Sequence, residues 1–217
     1  RYRYAIVIAI TGDTWAVELE EFDKFSSSKY LYRRGSSGGT NYSPTAMITE
    51  LGKTFQIKFL AWFEKVLQER DPKANPELNL IQQITDILHR SREDMLHAIT
   101  NLMSGIKDGC FLTLKVDGRY LQEIPVFVTL FQQMVEDKES EISSLQQTCS
   151  ICGNKAERVM GGSSAYKFYT IDKPGFIAGG FDEQRSWRNY PVCSDCHLYL
   201  IEAKRFIEEN LRFSFYG

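Results

Sequence analysis

Two Cys-x-x-Cys pairs constrain this chain more than anything else in it: Cys149-Ser-Ile-Cys152 and Cys193-Ser-Asp-Cys196, separated by residues 153–192. A two-residue gap lets both thiolates of a pair turn toward one centre, and two such pairs complete a tetrahedral sulfur shell suited to zinc. Gly153 follows the first pair, where a tight knuckle needs a residue tolerant of positive φ. The second pair runs into a strongly helical segment, which places its cysteines in the turn that starts a helix. Two disulfides, or four unrelated buried thiols, are the competing uses of the same residues; the matched spacing favours zinc. Four sulfurs leave no open coordination position, so the expected Zn2+ is structural. It would fix a region too small to bury enough apolar surface by itself.

The remaining cysteine, Cys110, lies in Cys110-Phe-Leu-Thr-Leu and is expected to pack as a small buried hydrophobe. An odd cysteine count with zinc-type spacing points to a reducing compartment, hence the cytoplasm. The longest apolar run, Ala5 to Ile10, is far too short to span a bilayer. A net charge of −2 argues against a protein wholly coated with nucleic acid, while leaving room for a local basic groove. A chain that starts at Arg1 and stops at Gly217 is expected to be a portion of something longer.

Tyr2 to Ile10 is predicted as a buried strand closed by Thr11-Gly12-Asp13, with a half-exposed second strand from Trp15 to Glu21. Gly35 to Tyr42 has the glycine and serine density of a surface loop. From Glu50 to Arg70, apolar residues fall at Phe55, Phe59, Trp62, Phe63 and Val66, the spacing of one helix face. Asp71-Pro72 ends that helix, and Asn75-Pro76 starts the next with Pro76 at its first position. Ser91 interrupts or recaps the stripe of Ile81, Ile84 and Leu88 before Met95, Ile99 and Leu102 resume it. Cys110 to Val116 is a strand ending in Asp117-Gly118, a hairpin signal. Pro125 to Lys138 is helical. The polar run 139–148 is expected to be a linker between an amino-terminal portion, 1–138, and a zinc module, 149–217. Inside the module, Arg158 to Met160 and Tyr166 to Ile171 are short strands, and Asp195 to Asn210 is the closing helix.

The insert between the cysteine pairs interleaves Lys167, Lys173, Arg185 and Arg188 with Tyr166, Phe168, Tyr169, Phe176 and Trp187. Cations neutralise phosphates while aromatic faces stack on bases. Phe168, Phe176 and Trp187 are read instead as the small core around the metal. A second basic segment, Lys29 with Arg33 and Arg34, adjoins the glycine-rich loop. Catalytic signals are weak: His89 and His97 are eight residues apart, not one helical turn. His197 beside Cys196 is superfluous to a four-sulfur shell, and neither a phosphate loop nor a serine elbow occurs. The chain is therefore expected not to be an enzyme. A metal-dependent nuclease using His197 ranks a distant third, behind a zinc-stabilised protein-interaction scaffold.

Several segments taken together carry a family likeness: Lys167-Phe-Tyr-Thr-Ile-Asp-Lys-Pro-Gly-Phe176, Arg188-Asn-Tyr-Pro-Val-Cys193, Leu31-Tyr-Arg-Arg-Gly35, Asn41-Tyr-Ser-Pro-Thr45 and Gly52-Lys-Thr-Phe55. The set resembles the large subunit of subtype I-B CRISPR effector (Cascade) complexes, with Asp-Lys-Pro-Gly-Phe between the cysteine pairs its most specific part. Those subunits are much longer, so the likeness covers a portion that includes the zinc module. The resemblance implies a non-catalytic subunit of a crRNA-guided antiviral surveillance complex in a prokaryotic cytoplasm. Its companions there would be crRNA, target DNA and the other Cascade subunits. Such a subunit inspects the flanking motif (PAM), helps open the R-loop, binds displaced DNA and takes part in recruiting a helicase-nuclease. The expected fold class is α+β: strands and several helices, then a four-cysteine zinc-ribbon-like module with a long insert and a closing helix. The site residues expected are Cys149, Cys152, Cys193 and Cys196 for metal. Lys29, Arg33, Arg34, Lys167, Lys173, Arg185 and Arg188 are expected to contact nucleic acid.

Overall fold

The structure is a computed structural model, described here for residues 2–22, 26–32, 41–161 and 183–211. It is a mixed α+β chain that divides into two compact units, 1–134 and 135–217. Among the described residues no helix is long and apolar enough to cross a membrane.

The first unit is built on a five-stranded sheet. Strands β1 (Tyr2–Thr11), β2 (Thr14–Glu21), β3 (Ala46–Met47) and β4 (Gly109–Val116) lie in the order β2-β1-β4-β3, and β5 (Arg119–Tyr120) pairs with β4. β1 runs antiparallel to β2 and parallel to β4, with Ile6 opposite Leu112 and Ile8 opposite Leu114. A central strand flanked on both faces must be apolar at consecutive positions, and Ala5, Ile6, Val7 and Ile8 are all fully buried. Asp117 and Gly118 both adopt positive φ, +48° and +75°, as the tight β4–β5 hairpin demands.

The two faces of this sheet are covered differently. Ile6, Ile8 and Ile10 join Leu112, Leu114 and Val116 against the helices, which contribute Phe55, Phe59, Phe63, Ile81, Ile84, Leu88 and Met95. Ala5, Val7 and Phe111 face an aromatic layer of Phe22, Tyr30, Tyr32 and Tyr120. The Thr45 hydroxyl donates to the Tyr30 carbonyl at 2.6 Å and lies 2.8 Å from Thr113 Oγ1, pinning that layer to β4.

A single helical turn, α1 (Ser26–Lys29), precedes Tyr30. The helix expected over 50–70 is present in three continuous pieces: α2 (Leu51–Lys53), a π-helical stretch Thr54–Leu60, and α3 (Ala61–Glu69). Its rings form a ladder, with centroids 5.6 Å apart for Phe55–Phe59 and 5.7 Å for Phe59–Phe63. Pro76 begins a 3-10 turn, Pro76–Leu78, leading into α4 (Asn79–Arg90). Asn75 does not cap that turn with its side chain; its Nδ2 donates instead to the Asp71 carbonyl at 3.0 Å. Ser91 separates α4 from α5 (Arg92–Met103).

The division between units falls inside α6 (Pro125–Glu141). The run 139–148, expected as a linker, is instead the end of α6 followed by strand β6 (Ser143–Thr148). Ser-Ser-Leu-Gln-Gln-Thr lacks apolar alternation, and backbone pairing with β7 places it: Ser144 stands opposite Val159 and Thr148 opposite Lys155. β6, β7 (Lys155–Gly161) and β8 (Pro191–Cys193) form an antiparallel sheet in that order, and α7 (Ser194–Asn210) follows directly. The strand expected at Tyr166 to Ile171 lies outside the described residues.

Candidate metal centre

The β6–β7 hairpin carries the first cysteine pair at its tip. The Cys149 N–H donates to the Asn154 carbonyl at 2.9 Å, and the Gly153 N–H returns to the Cys149 carbonyl at 3.0 Å. This reversal needs Gly153 at φ +72°, the left-handed conformation that its missing β-carbon permits. The second pair straddles a strand-to-helix junction. Cys193 ends β8 in an extended conformation as the residue before α7, and Cys196 sits in the first helical turn. Ser150 N–H donates to the Pro191 carbonyl at 2.8 Å, tying one pair's loop to the strand that delivers the other.

All four sulfurs lie within 4.8 Å of one another. Thiolates bound at about 2.3 Å to a tetrahedral ion stand roughly 3.8 Å apart, so little contraction separates this cluster from a metal-binding shell. No disulfide joins any of the five cysteines. Cys149 and Cys196 are buried with Val192, and Tyr190 and Leu200 pack beside them; Cys152 is exposed.

The electrostatics explain why such a cluster calls for a cation. Burial disfavours the Cys149 thiolate, yet N–H groups of Cys152, Cys193 and Ile151 outweigh it and hold the thiol at about 6. Two of those donors, Ile151 and Cys193, stand 3.4 Å from the sulfur. Cys196 is pushed the other way, up to about 12, by burial and by the neighbouring sulfurs. At Cys193 the Cys196 N–H favours the thiolate, but burial and the Cys149 charge prevail and raise it. One negative sulfur forms readily and opposes the next. A divalent ion reverses that opposition.

The other cysteine and the histidines are placed differently. Cys110 is 1% exposed on β4, where burial and the nearby Asp108 raise its thiol. His89 is exposed and reaches Glu64 at 3.2 Å, and His97 is exposed beside Asn101. His197 follows Cys196 on α7 and is not part of the four-sulfur group.

Of the expected nucleic-acid contacts, Arg33, Arg34, Lys167 and Lys173 lie outside the described residues. Lys29 is engaged inside the first unit: its ammonium is 2.9 Å from Glu20 Oε2 and lies over the rings of Tyr30 and Tyr120, at 4.7 and 4.4 Å. Glu20 also accepts from the Tyr30 and Tyr120 hydroxyls, and Lys115 approaches it at 3.5 Å. Sequence spacing concealed this cluster because its members come from β2, β4, β5 and the segment Lys29-Tyr30; only the alternation of β2, which sends Glu18 and Glu20 to one face, hints at it. Arg185 and Arg188 are exposed on a 3-10 turn, Glu183–Arg188, whose Trp187 is half-buried. That turn rests on Gly161, a contact that periodicity could not have found.

Residues 2–133 match the model of the N-terminal domain of CRISPR-associated protein TM1802 (cas_TM1802), and residues 146–217 match the model of its central domain. No curated protein and no solved structure matches the chain.

Proposed function

This chain belongs to the CRISPR-associated TM1802 family, and on that premise we propose that it is a non-catalytic nucleic-acid-binding part of a crRNA-guided surveillance complex. Its role is that of the large subunit: inspecting the flanking motif, holding target DNA and assisting R-loop formation. In guided effectors base pairing reads the target while protein reads only the short flanking motif and the backbone. The observation that carries this reading is the four-sulfur cluster, which accounts for every donor a tetrahedral ion takes and so leaves no position for a reacting water. The ion is Zn2+, favoured by an all-thiolate tetrahedral set over harder cations. It would supply a fold-stabilising cross-link between β6, β8 and α7 rather than chemistry. Exposed Arg185 and Arg188, with the basic residues 33, 34, 167 and 173, supply the phosphate contacts. The complex is cytoplasmic, with companion subunits, crRNA and a recruited helicase-nuclease as partners.

Co-expression with a CRISPR array and purification through this chain tests the proposal. Recovery of a guide-length RNA with companion proteins supports it; a chain recovered alone and free of RNA overturns it. A second reading, a protein-docking scaffold, is favoured by the apolar residues that α7 leaves in solvent, with Leu198 61%, Tyr199 72% and Phe206 58% exposed. Under that reading, charge reversal of the arginines leaves nucleic-acid affinity unchanged, and polar substitution of Tyr199 and Phe206 abolishes assembly.

A further inference from the structure

The 3-10 turn Glu183–Arg188 winds three residues per turn, so residues three apart eclipse one another. Arg185 and Arg188 therefore leave the turn on one side, displaced by about 6 Å along its axis. Both are exposed. The Arg188 guanidinium lies over the Trp187 indole, 5.5 Å from the ring centroid.

The base under these side chains is clamped from both directions. Gly161 on β7 meets the backbone of the turn so closely that a β-carbon there would overlap the Trp187 nitrogen and α-carbon. Ser186 is buried at 3% exposure, and its carbonyl accepts both the N–H and the side-chain amide of Asn189, at 3.0 and 3.1 Å. Beyond Asn189, the Pro191 carbonyl is held by Ser150 of the first cysteine loop. Two cationic residues thus project from fixed backbone positions on a support continuous with the metal cluster, which lowers the ordering cost of a bound ligand.

We infer that Arg185, Trp187 and Arg188 form a binding site for unpaired nucleic acid. The two guanidiniums take successive backbone phosphates, and one unstacked base lies on the Arg188–Trp187 layer. The inference rests on the nucleic-acid-binding reading above and narrows it to this patch and to single strands. Arginine suits both roles, since its planar fork binds phosphate oxygens bidentately and its flat face stacks. A base inside a duplex has both faces covered by its neighbours; an unpaired base offers one to such a layer.

The test uses the metal-loaded chain and a fluorescein-labelled DNA strand, alone and annealed to its complement, with anisotropy followed across a salt series. The parent is expected to prefer the single strand. Arg185→Glu with Arg188→Glu should weaken that binding at least tenfold and flatten the log-affinity slope by about 1.4, about 0.7 for each single-strand phosphate left without its arginine. Arg188→Lys should keep the slope and lose several-fold in affinity, because charge remains and the stacking plane does not. Metal content equal to the parent's in each variant shows that the support is intact. Unchanged affinity and slope in the double variant, with the parent still binding, overturns this site and leaves the broader reading standing. Equal loss on strand and duplex overturns the single-strand assignment. A parent that binds neither probe overturns the site and the broader reading together.

Discussion

Gly161 and Trp187 are in backbone contact: a β-carbon on Gly161 would also stand 2.5 Å from the carbonyl carbon of Ser186. Nothing flexible lines that contact, so neither partner can yield by a side-chain rotation. Gly161→Ala is therefore expected to displace the 3-10 turn and destabilise the second unit by about 2–4 kcal/mol, the upper range for one substitution. Gly52→Ala is the control. Gly52 lies in α2, where an added β-carbon would have nothing within 4 Å, and the change should stabilise by roughly 0.5–1 kcal/mol. Denaturant titration of both variants checks the contrast, with amide exchange on β7 locating the first effect.

Metal removal should act on one unit only. Structural zinc contributes roughly 10–16 kcal/mol in small zinc-dependent folds at neutral pH, far more than the apolar cluster of Cys149, Val192 and Cys196 can replace. Cys149→Ser or Cys196→Ser should lower bound metal well below one ion per chain. Amide protection in β6–β8 should collapse while β1 and β4 keep theirs. The pH dependence has a definite sign. Cys193 and Cys196 are raised, so both are thiols near neutrality and release protons when the ion binds. Metal affinity should fall as pH drops, and competition with a chromophoric chelator at two pH values measures it.

Glu20 offers a second pH signature, in the first unit. Burial alone would raise its carboxyl, but the Tyr30 hydroxyl, Lys29 and the Tyr120 hydroxyl outweigh it and hold the group below its ordinary range. A depressed carboxyl contributes stability that is present above the unfolded value and lost as pH falls through the folded one. Lys29, opposed by its own burial but favoured by Glu20, is raised, so its contribution is lost only at high pH. Glu20→Gln keeps the shape and removes the charge. It should cost about 1–3 kcal/mol near pH 7, because Lys29 and two hydroxyls lose a charged acceptor. The difference from the parent should shrink below about pH 4, where the parent's own carboxyl protonates. Thermal unfolding across pH decides this.

Features written in periodicity or spacing were legible in advance. Alternation and apolar runs located β1, β2 and β4, the 3.6-residue stripe located α4 and α5, and Asp117-Gly118 marked its hairpin. The two cysteine pairs named a cluster whose sulfurs do converge. What escaped notice depends on chain pairing rather than on local pattern. β6 has one apolar residue, the exposed Leu145, and exists because β7 supplies its hydrogen bonds. Lys29 stood out as one member of a basic run, yet its partner Glu20 comes from a neighbouring strand, and a charge run carries no record of what folds against it. The apolar stripe over 50–70 fixed a helix but not its π-helical pitch, since Phe55, Phe59 and Phe63 keep the same spacing in either.

That π-helical stretch yields the sharpest contrast between neighbours. Phe59 is fully buried between Phe55 and Phe63, whereas Ile57, two residues away on the same stretch, is 66% exposed. Hydrophobicity alone would rank the two residues as comparable. Burial does not: Phe59→Ala removes a ring from the centre of the ladder and leaves a cavity that the sheet above cannot fill, costing about 3–5 kcal/mol. Ile57→Ser removes little buried surface and should change stability by no more than about 0.5 kcal/mol. Chemical denaturation followed by circular dichroism separates the two outcomes. A large loss from Ile57→Ser would mean that a further surface covers this helix in solution.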